Sequence, residues 1–252
     1  MDDIERFRTL AREQGATDES IDRWLNFNQP RVELHATGEG PPAGRFGGRP
    51  SLPESSAWPT SDRFEPPWPY FFLAEVDCAV LAPEMPGLPP AGTLQFFVIH
   101  FDSADEGAVL YHPPGTELTD TGPPPDSTEP TILAGHPLYV RRRGMMPPDP
   151  GPMDPWLYEH HDPYLDLWDE VVKDNGRMHL GGPADGLYFQ PPGHPEYGPP
   201  YPDVVRLAEF RFDRDEFPET DDPPQALAFV IHRDDLAARA FDRAWTGQEI
   251  FD

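Results

Sequence analysis

The chain has 252 residues, 45 of them acidic and 19 basic, for a formal net charge of −26. That charge repels nucleic-acid phosphate and anionic lipid, so DNA, RNA and membrane surfaces are excluded as expected partners. Hydrophobic residues reach only 37%, yet 16 Phe, 8 Tyr and 6 Trp supply large buriable units, so a folded chain with long polar loops is expected.

Met1 to Arg6 is acidic where a secretory leader needs a basic start, no apolar run approaches a membrane span, and Cys78 is the single cysteine. A cytoplasmic protein is expected. Residues 1–30 read as N-terminal helices. Ile4, Phe7, Leu10 and Ala11 recur at helical spacing, Gly15 breaks the pattern, and Ile21, Trp24 and Leu25 resume it before Asn28-Gln29-Pro30. Over residues 31–112 the runs become short and extended, at Val32 to His35, Tyr70 to Val76 and Thr93 to His100, which is the pattern of a sheet.

Residues 113–178 read as a Pro-rich insertion followed by a helix. Twelve prolines fall between 113 and 155, around the strand-like Thr131 to Leu133 and Leu138 to Arg142. Asp162-Pro163 predicts a helix start, with Asp162 as N-cap, Tyr164, Leu167, Trp168 and Val171 on one stripe, and Asn175-Gly176 as the stop. A second tract, Pro191 to Pro202, reads as polyproline II surface or as an ordered loop. A last helix is predicted from Asp234, carrying Leu236 to Trp245 toward the sheet.

A repeat organises these elements. Phe46-Gly47-Gly48 is echoed by Leu180-Gly181-Gly182, and Leu73-Ala74-Glu75 by Leu207-Ala208-Glu209, both at an offset of 134. Pro89-Pro90 then matches Pro223-Pro224 at the same offset, and Phe97 to His100 matches Phe229 to His232 at 132. The expected fold is α+β and internally duplicated, a β-rich core of two similar sheet-bearing halves with an N-terminal helical segment and flanking helices. Residues 1–252 form a single domain, with repeats over 31–112 and 179–252. Neither glycine pair completes a phosphate-binding pattern or opens a helix, so both read as tight turns.

These residues carry a resemblance. Phe46 to Pro53, Trp58-Pro59, Phe71 to Asp77 and Leu88 to Phe97 look like the first half of YwqG-like proteins. His179 to Gly182 and Ile231 to Gln248 are similar to the second half. The resemblance implies one duplicated α+β unit and no assigned activity, and it carries no catalytic residue across.

Candidate residues follow from the repeat. Glu75 and Glu209 sit at equivalent points inside apolar strands, where a carboxylate needs a partner such as Arg45, Arg49 or Arg206. His100 and His232 end equivalent strands, and with Trp58 these residues are the expected binding positions. Glu159-His160-His161-Asp162 packs four ligand-type residues together, but adjacent side chains diverge, so no metal is assigned. Cys78 reads as a small buried residue, and Ser51, Ser55 and Ser56 lack a nucleophile context. Arg141-Arg142-Arg143 is a basic island suited to clamping carboxylates. No catalytic residue or cofactor is assigned. Two functions are expected: a protein-binding module of immunity or antitoxin type with a basic partner, or a small-molecule-binding protein or enzyme with a cleft between the repeats.

Overall fold

The computed structural model describes residues 3–65, 67–85, 87–99, 106–124, 132–146, 155–171, 176–182, 184, 187–188, 203–212 and 226–249. Helices α1 (Asp3–Glu13) and α2 (Asp18–Leu25) come first. Thr17 caps α2 by accepting the Ser20 N–H at 3.2 Å, and both helices bury the stripe read from their spacing, namely Phe7, Ala11, Ile21 and Trp24.

Strands then follow as β1 (Gln29–His35), β2 (Gly44–Phe46), β3 (Ser51–Leu52), β4 (Thr60–Ser61), β5 (Trp68–Pro69) and β6 (Phe71–Asp77). After the short helix α3 (Cys78–Leu81) come β7 (Thr93–Val98), β8 (Gly107–His112), β9 (Thr119–Asp120) and β10 (His136–Met146). Helix α4 (Pro155–Val171) precedes β11 (Met178–Gly181), β12 (Leu187–Tyr188), β13 (Val204–Arg211) and β14 (Ala226–His232). Helix α5 (Arg233–Ala238) and strand β15 (Trp245–Glu249) complete the described chain.

Eleven strands form one sheet in the order β12-β15-β14-β13-β11-β1-β10-β2-β6-β7-β8, and every ladder in it is antiparallel. The sheet curls until its ends approach. Gly107 of β8 lies so close to β14 and β15 that a methyl group there would sit 2.5 Å from Thr246 Cγ2 and 2.8 Å from the Phe229 ring. The result is nearly a barrel, filled by Phe96, Phe210 and Phe229 with centroids 5.2 to 5.8 Å apart in edge contacts. Around them close Leu34, Phe46, Leu73, Leu94, Leu180, Leu207 and Ile231.

The centre of the sheet is the ribbon of β1 and β10, in which Gln29 stands opposite Met146. Helix α2 runs into β1, and β10 leads toward α4, so α1, α2 and α4 gather at that end. Their own core holds Phe7, Trp24 and Trp168, with ring centroids 4.9 to 5.6 Å apart. The segment read as a Pro-rich insertion therefore supplies a central strand. The strand-like run Leu138 to Arg142 lies within it, and Pro137 is accepted because it stands at the start of β10, where the ladder tolerates a missing N–H.

Two helix readings need correction. Helix α4 begins at Pro155, which places Asp162 and Pro163 inside it instead of at its start. Burial of Tyr164, Leu167, Trp168 and Val171 against α1 and α2 carries the helix across the proline. The last helix stops at Ala238, because Arg239 turns left-handed at φ 59 and the Ala240 N–H closes onto the Asp235 carbonyl at 2.8 Å. Trp245 then enters a strand paired with β14.

Positions 134 apart occupy like settings. Gly47 and Gly48 have φ of 63 and 73, and Gly181 and Gly182 have 77 and 87. The β6–β7 ladder breaks register at Leu73, and the β13–β14 ladder breaks at Leu207. The second strands differ from the sequence match. Phe96 stands opposite Ala74, and Phe229 opposite Ala208, an offset of 133 where the Phe97 to His100 match gives 132. A one-residue slip exchanges the two faces of a strand, so the face that enters the central core separates the two offsets. Leu94, Phe96 and Val98 point inward as Leu227, Phe229 and Ile231 do.

Candidate functional site

Strand β1 reads Arg31-Val32-Glu33-Leu34-His35, a strict alternation. Val32 and Leu34 enter the core, which puts Arg31, Glu33 and His35 together on the outer face. In β11 the same alternation buries Met178 and Leu180 inside and sets His179 outside, opposite Glu33. In β13 it sets Glu209 outside, opposite His179. Glu33, His179 and Glu209 thus form a row across three strands.

Arg206 joins that row through the bulge at Leu207. Residues three apart on a regular strand face opposite sides, and the extra residue of the bulge returns Arg206 to the side of Glu209. Arg206 pairs with Glu209 Oε2, while Arg211 donates from Nε to Glu209 Oε1 at 2.9 Å. His179 Nδ1 lies 3.3 Å from the same Oε1, and its Nε2 lies 3.3 Å from the Arg31 guanidinium. One tautomer satisfies both contacts: Nδ1–H donates to Glu209, and Nε2 accepts from Arg31. His35 repeats the pattern, with Nε2 bonded to Glu33 and Nδ1 3.4 Å from Arg141.

The row is dry. His179 and Glu209 are fully buried, Arg206 is 2% exposed and Glu33 5%. Burial drives the His179 pKa well down, and the Arg31 and Arg211 charges push it further, so the imidazole is held neutral. Burial alone would raise the Glu33 pKa, but the hydrogen bond from His35, with the Arg31 charge beside it, outweighs burial and lowers it.

A second polar group lies on the outer face of β2, β6 and β7. Arg45 donates to Glu75 Oε1 from Nε at 3.3 Å and from an outer guanidinium nitrogen at 3.0 Å, and Gln95 Nε2 donates to Glu75 Oε2 at 3.0 Å and to the Ser51 carbonyl at 2.7 Å. His112 hydrogen-bonds Gln95 Oε1 through Nε2 at 3.0 Å, and burial lowers its pKa. This group is wetter, with 32% of the Arg45 side chain and 20% of the Glu75 side chain exposed.

The expected binding positions are dispersed. Glu75 on β6 and Glu209 on β13 stand with β2, β10, β1 and β11 between them. Trp58 donates its indole N–H to the Tyr70 carbonyl at 2.9 Å and packs on Phe97, outside β7. His232 precedes α5, its ring 5.0 Å from that of Trp245, and His100 lies outside the described residues. Of the three arginines proposed for the two carboxylates, Arg45 serves Glu75 and Arg206 serves Glu209. Cys78 is buried, and burial followed by the Asp77 charge pushes its thiol up to about 12.

Among the described residues no three His, Cys, Asp or Glu side chains group so as to hold a metal ion. The side chains of Glu159, His160 and His161 lie outside the described set. No helix among the described residues is long and apolar enough to cross a membrane.

Sequence reasoning passed over Arg31, Glu33, His35 and Arg211, and did not place His179 beside Glu209. The alternation in β1 signals the first three. His179 stands 134 residues after Arg45, at the position facing the repeated glutamate.

Residues 44–131 match the family model of a domain of unknown function, DUF1963. The matched stretch holds Arg45, Trp58, Glu75 and Gln95 and ends before β10, so the Glu33–His179–Glu209 row lies outside it. The match gives a domain family of unknown activity and does not bear the YwqG-like name. No curated protein matches the chain.

Proposed function

We propose that this chain is a small-molecule-binding protein whose ligand is received on the outer face of β1, β11 and β13. One observation carries the reading: a row of charged and imidazole side chains, four of them at most 5% exposed, is assembled on a sheet face where apolar residues would serve stability better. Buried ion pairs of this kind recover their desolvation cost only with close geometry, and apolar replacements of similar size are often as stable or more so. Function is a better account of such a row than packing.

In this reading the two halves are copies of one unit that have diverged. Supporting it are the matched glycine turns, the bulges at Leu73 and Leu207, and the facing pairs Arg45–Glu75 and His179–Glu209. The first copy keeps a plain ion pair, and the second has become the site. The protein works in the cytoplasm, in keeping with a single buried cysteine.

The test is native mass spectrometry of protein purified from its own source, with wild type beside Arg211→Ala. A discrete small-molecule adduct on the wild type that the variant lacks supports the reading. Identical bare masses for both, at matched circular dichroism, count against it. A second reading, a module that captures a basic protein, rests on the net charge of −26, which would speed association with a cationic surface and lose force as salt rises. Salt-sensitive recovery of one basic protein on immobilised chain, competed by free chain, would favour that reading.

A further inference from the structure

We propose that the outer face at the adjoining ends of β6, β7 and β8 forms a second binding site, which takes a small protonated amine through the Asp77 carboxylate and the Nδ1 lone pair of His112. The proposal is independent of the face of β1, β11 and β13.

The site follows from register. Asp77 stands opposite Thr93, and Thr93 stands opposite His112. Opposed residues of an antiparallel pair share a face. Here that face is the outer one, because Val76 and Leu94 enter the core and Tyr111 packs against it. A carboxylate, a hydroxyl and an imidazole thus form a row across three strands, about 10 Å from end to end at two strand spacings.

Hydrogen bonding fixes which nitrogen of His112 is left for a ligand. Gln95 Nε2 donates to Glu75 Oε2 at 3.0 Å and to the Ser51 carbonyl at 2.7 Å, which spends both of its N–H groups. A flipped amide would set an oxygen against those two acceptors. Gln95 Oε1 can only accept, so His112 Nε2, 3.0 Å away, carries the proton and donates it. In the neutral ring Nδ1 is then a lone pair, and burial, which lowers the His112 pKa, favours that neutral ring. Among the described residues Nδ1 has no hydrogen-bond partner, and it is not sealed from solvent. The far end of the chain is anchored by Arg45, which donates twice to Glu75 Oε1. One ring nitrogen held in this way sets the role of the other.

At the opposite end of the row Asp77 is exposed, and its Oδ1 caps α3 by accepting the Ala79 N–H at 2.8 Å. Its Oδ2 makes no hydrogen bond among the described residues. Two acceptors therefore flank the Thr93 hydroxyl, which serves in either role. The charges of Arg45 and Glu75 offset each other, and the chain as a whole carries −26, so the field favours a cation rich in N–H donors. A metal ion would need a third strong ligand, and among the described residues none stands with Asp77 and His112.

The experiment is NMR of the full chain with nitrogen-15 in its histidine rings, titrated with 1,4-diaminobutane dihydrochloride against sodium chloride at equal ionic strength. His112→Phe identifies the His112 signals. The free protein should show this ring protonated at Nε2 alone, and the diamine should shift its Nδ1 resonance saturably. Asp77→Asn keeps a good capping residue on α3, so the fold should hold while affinity drops about tenfold or more, the loss expected for one charge-assisted hydrogen bond. Should His112→Phe fail to fold, the signals are assigned through the backbone, and Asp77→Asn carries the test. Three results each overturn the proposal: a free His112 ring protonated at Nδ1, an Nδ1 resonance that moves no further with diamine than with sodium chloride, or equal affinity in wild type and Asp77→Asn.

Discussion

Two glutamates, Glu75 and Glu209, occupy matching points in two bulged hairpins and have opposite surroundings. Glu75 shares its carboxylate between the half-exposed Arg45 and Gln95, and water reaches the pair. Glu209 is sealed, its charge is met by Arg206 and Arg211, and the neutral His179 lies within hydrogen-bond reach of it. The register explains part of the difference. Gln95 stands opposite Glu75, but Ala228 stands opposite Glu209, so the second glutamate must find its partners along its own strand and on β11. Two strand positions with similar bulges beside them thus carry a half-exposed ion pair in one place and a buried polar row in the other.

The largest expected effect tests that contrast directly. Glu209→Ala removes the carboxylate that pairs with the buried Arg206, and losing one member of a buried pair typically costs about 3–5 kcal/mol. Glu75→Ala should cost about 1 kcal/mol or less, as for pairs that water screens. Urea titrations of both variants measure the gap, and equal losses would erase the distinction between the two sites.

A smaller effect probes the glycine turns. Alanine at Gly181, at φ 77, should cost about 1–2 kcal/mol from left-handed strain alone. Gly47→Ala should cost more, because its methyl group would also lie 2.5 Å from the Ala134 carbonyl oxygen. Equal losses in thermal melts would show that the backbone yields around Gly47.

Acid should weaken the protein mainly through the buried row. The folded pKa of His179 is depressed below its ordinary 6.5, so as pH falls through 6.5 the unfolded chain takes up a proton that the folded chain refuses. Glu33 acts in the same direction lower down: its depressed pKa gives stability that is present above 4.5 and is lost as pH falls through the folded value. Tm should therefore decline from pH 7 toward pH 5, and His179→Asn should flatten that slope whatever it does to Tm at neutral pH. An unchanged slope would contradict the neutral imidazole.

The least effect is expected at Cys78. A buried thiol with its pKa pushed up to about 12 should resist alkylation in the folded protein at pH 8 and react once denatured. Rapid labelling of native protein would mean that the segment around α3 opens readily.

Local pattern made much of the fold readable. Helices α1 and α2 follow from Phe7, Ala11, Ile21 and Trp24, and β1, β6 and β7 follow from their apolar runs. The middle of β10 was read as the strand-like Leu138 to Arg142, though not its central place in the sheet, and the start of α4 was obscured by Asp162-Pro163, a cap signal overridden by packing on α1 and α2. The end of α5 turned on one left-handed residue, Arg239, an arginine where helix stops usually show glycine. Glu75 and Glu209 were found through the repeat. Their partners were harder to find, since His179 and Arg31 reach the row only through the pairing of β11 with β1 and β13, which lie far apart in sequence.

The most direct test of the central claim is hydrogen exchange of the full chain with and without the ligand that copurifies. The site account predicts slowed exchange in β1, β11 and β13, with β2, β6 and β7 unchanged. Protection confined to β2, β6 and β7, or none at all in the presence of saturating ligand, would contradict it.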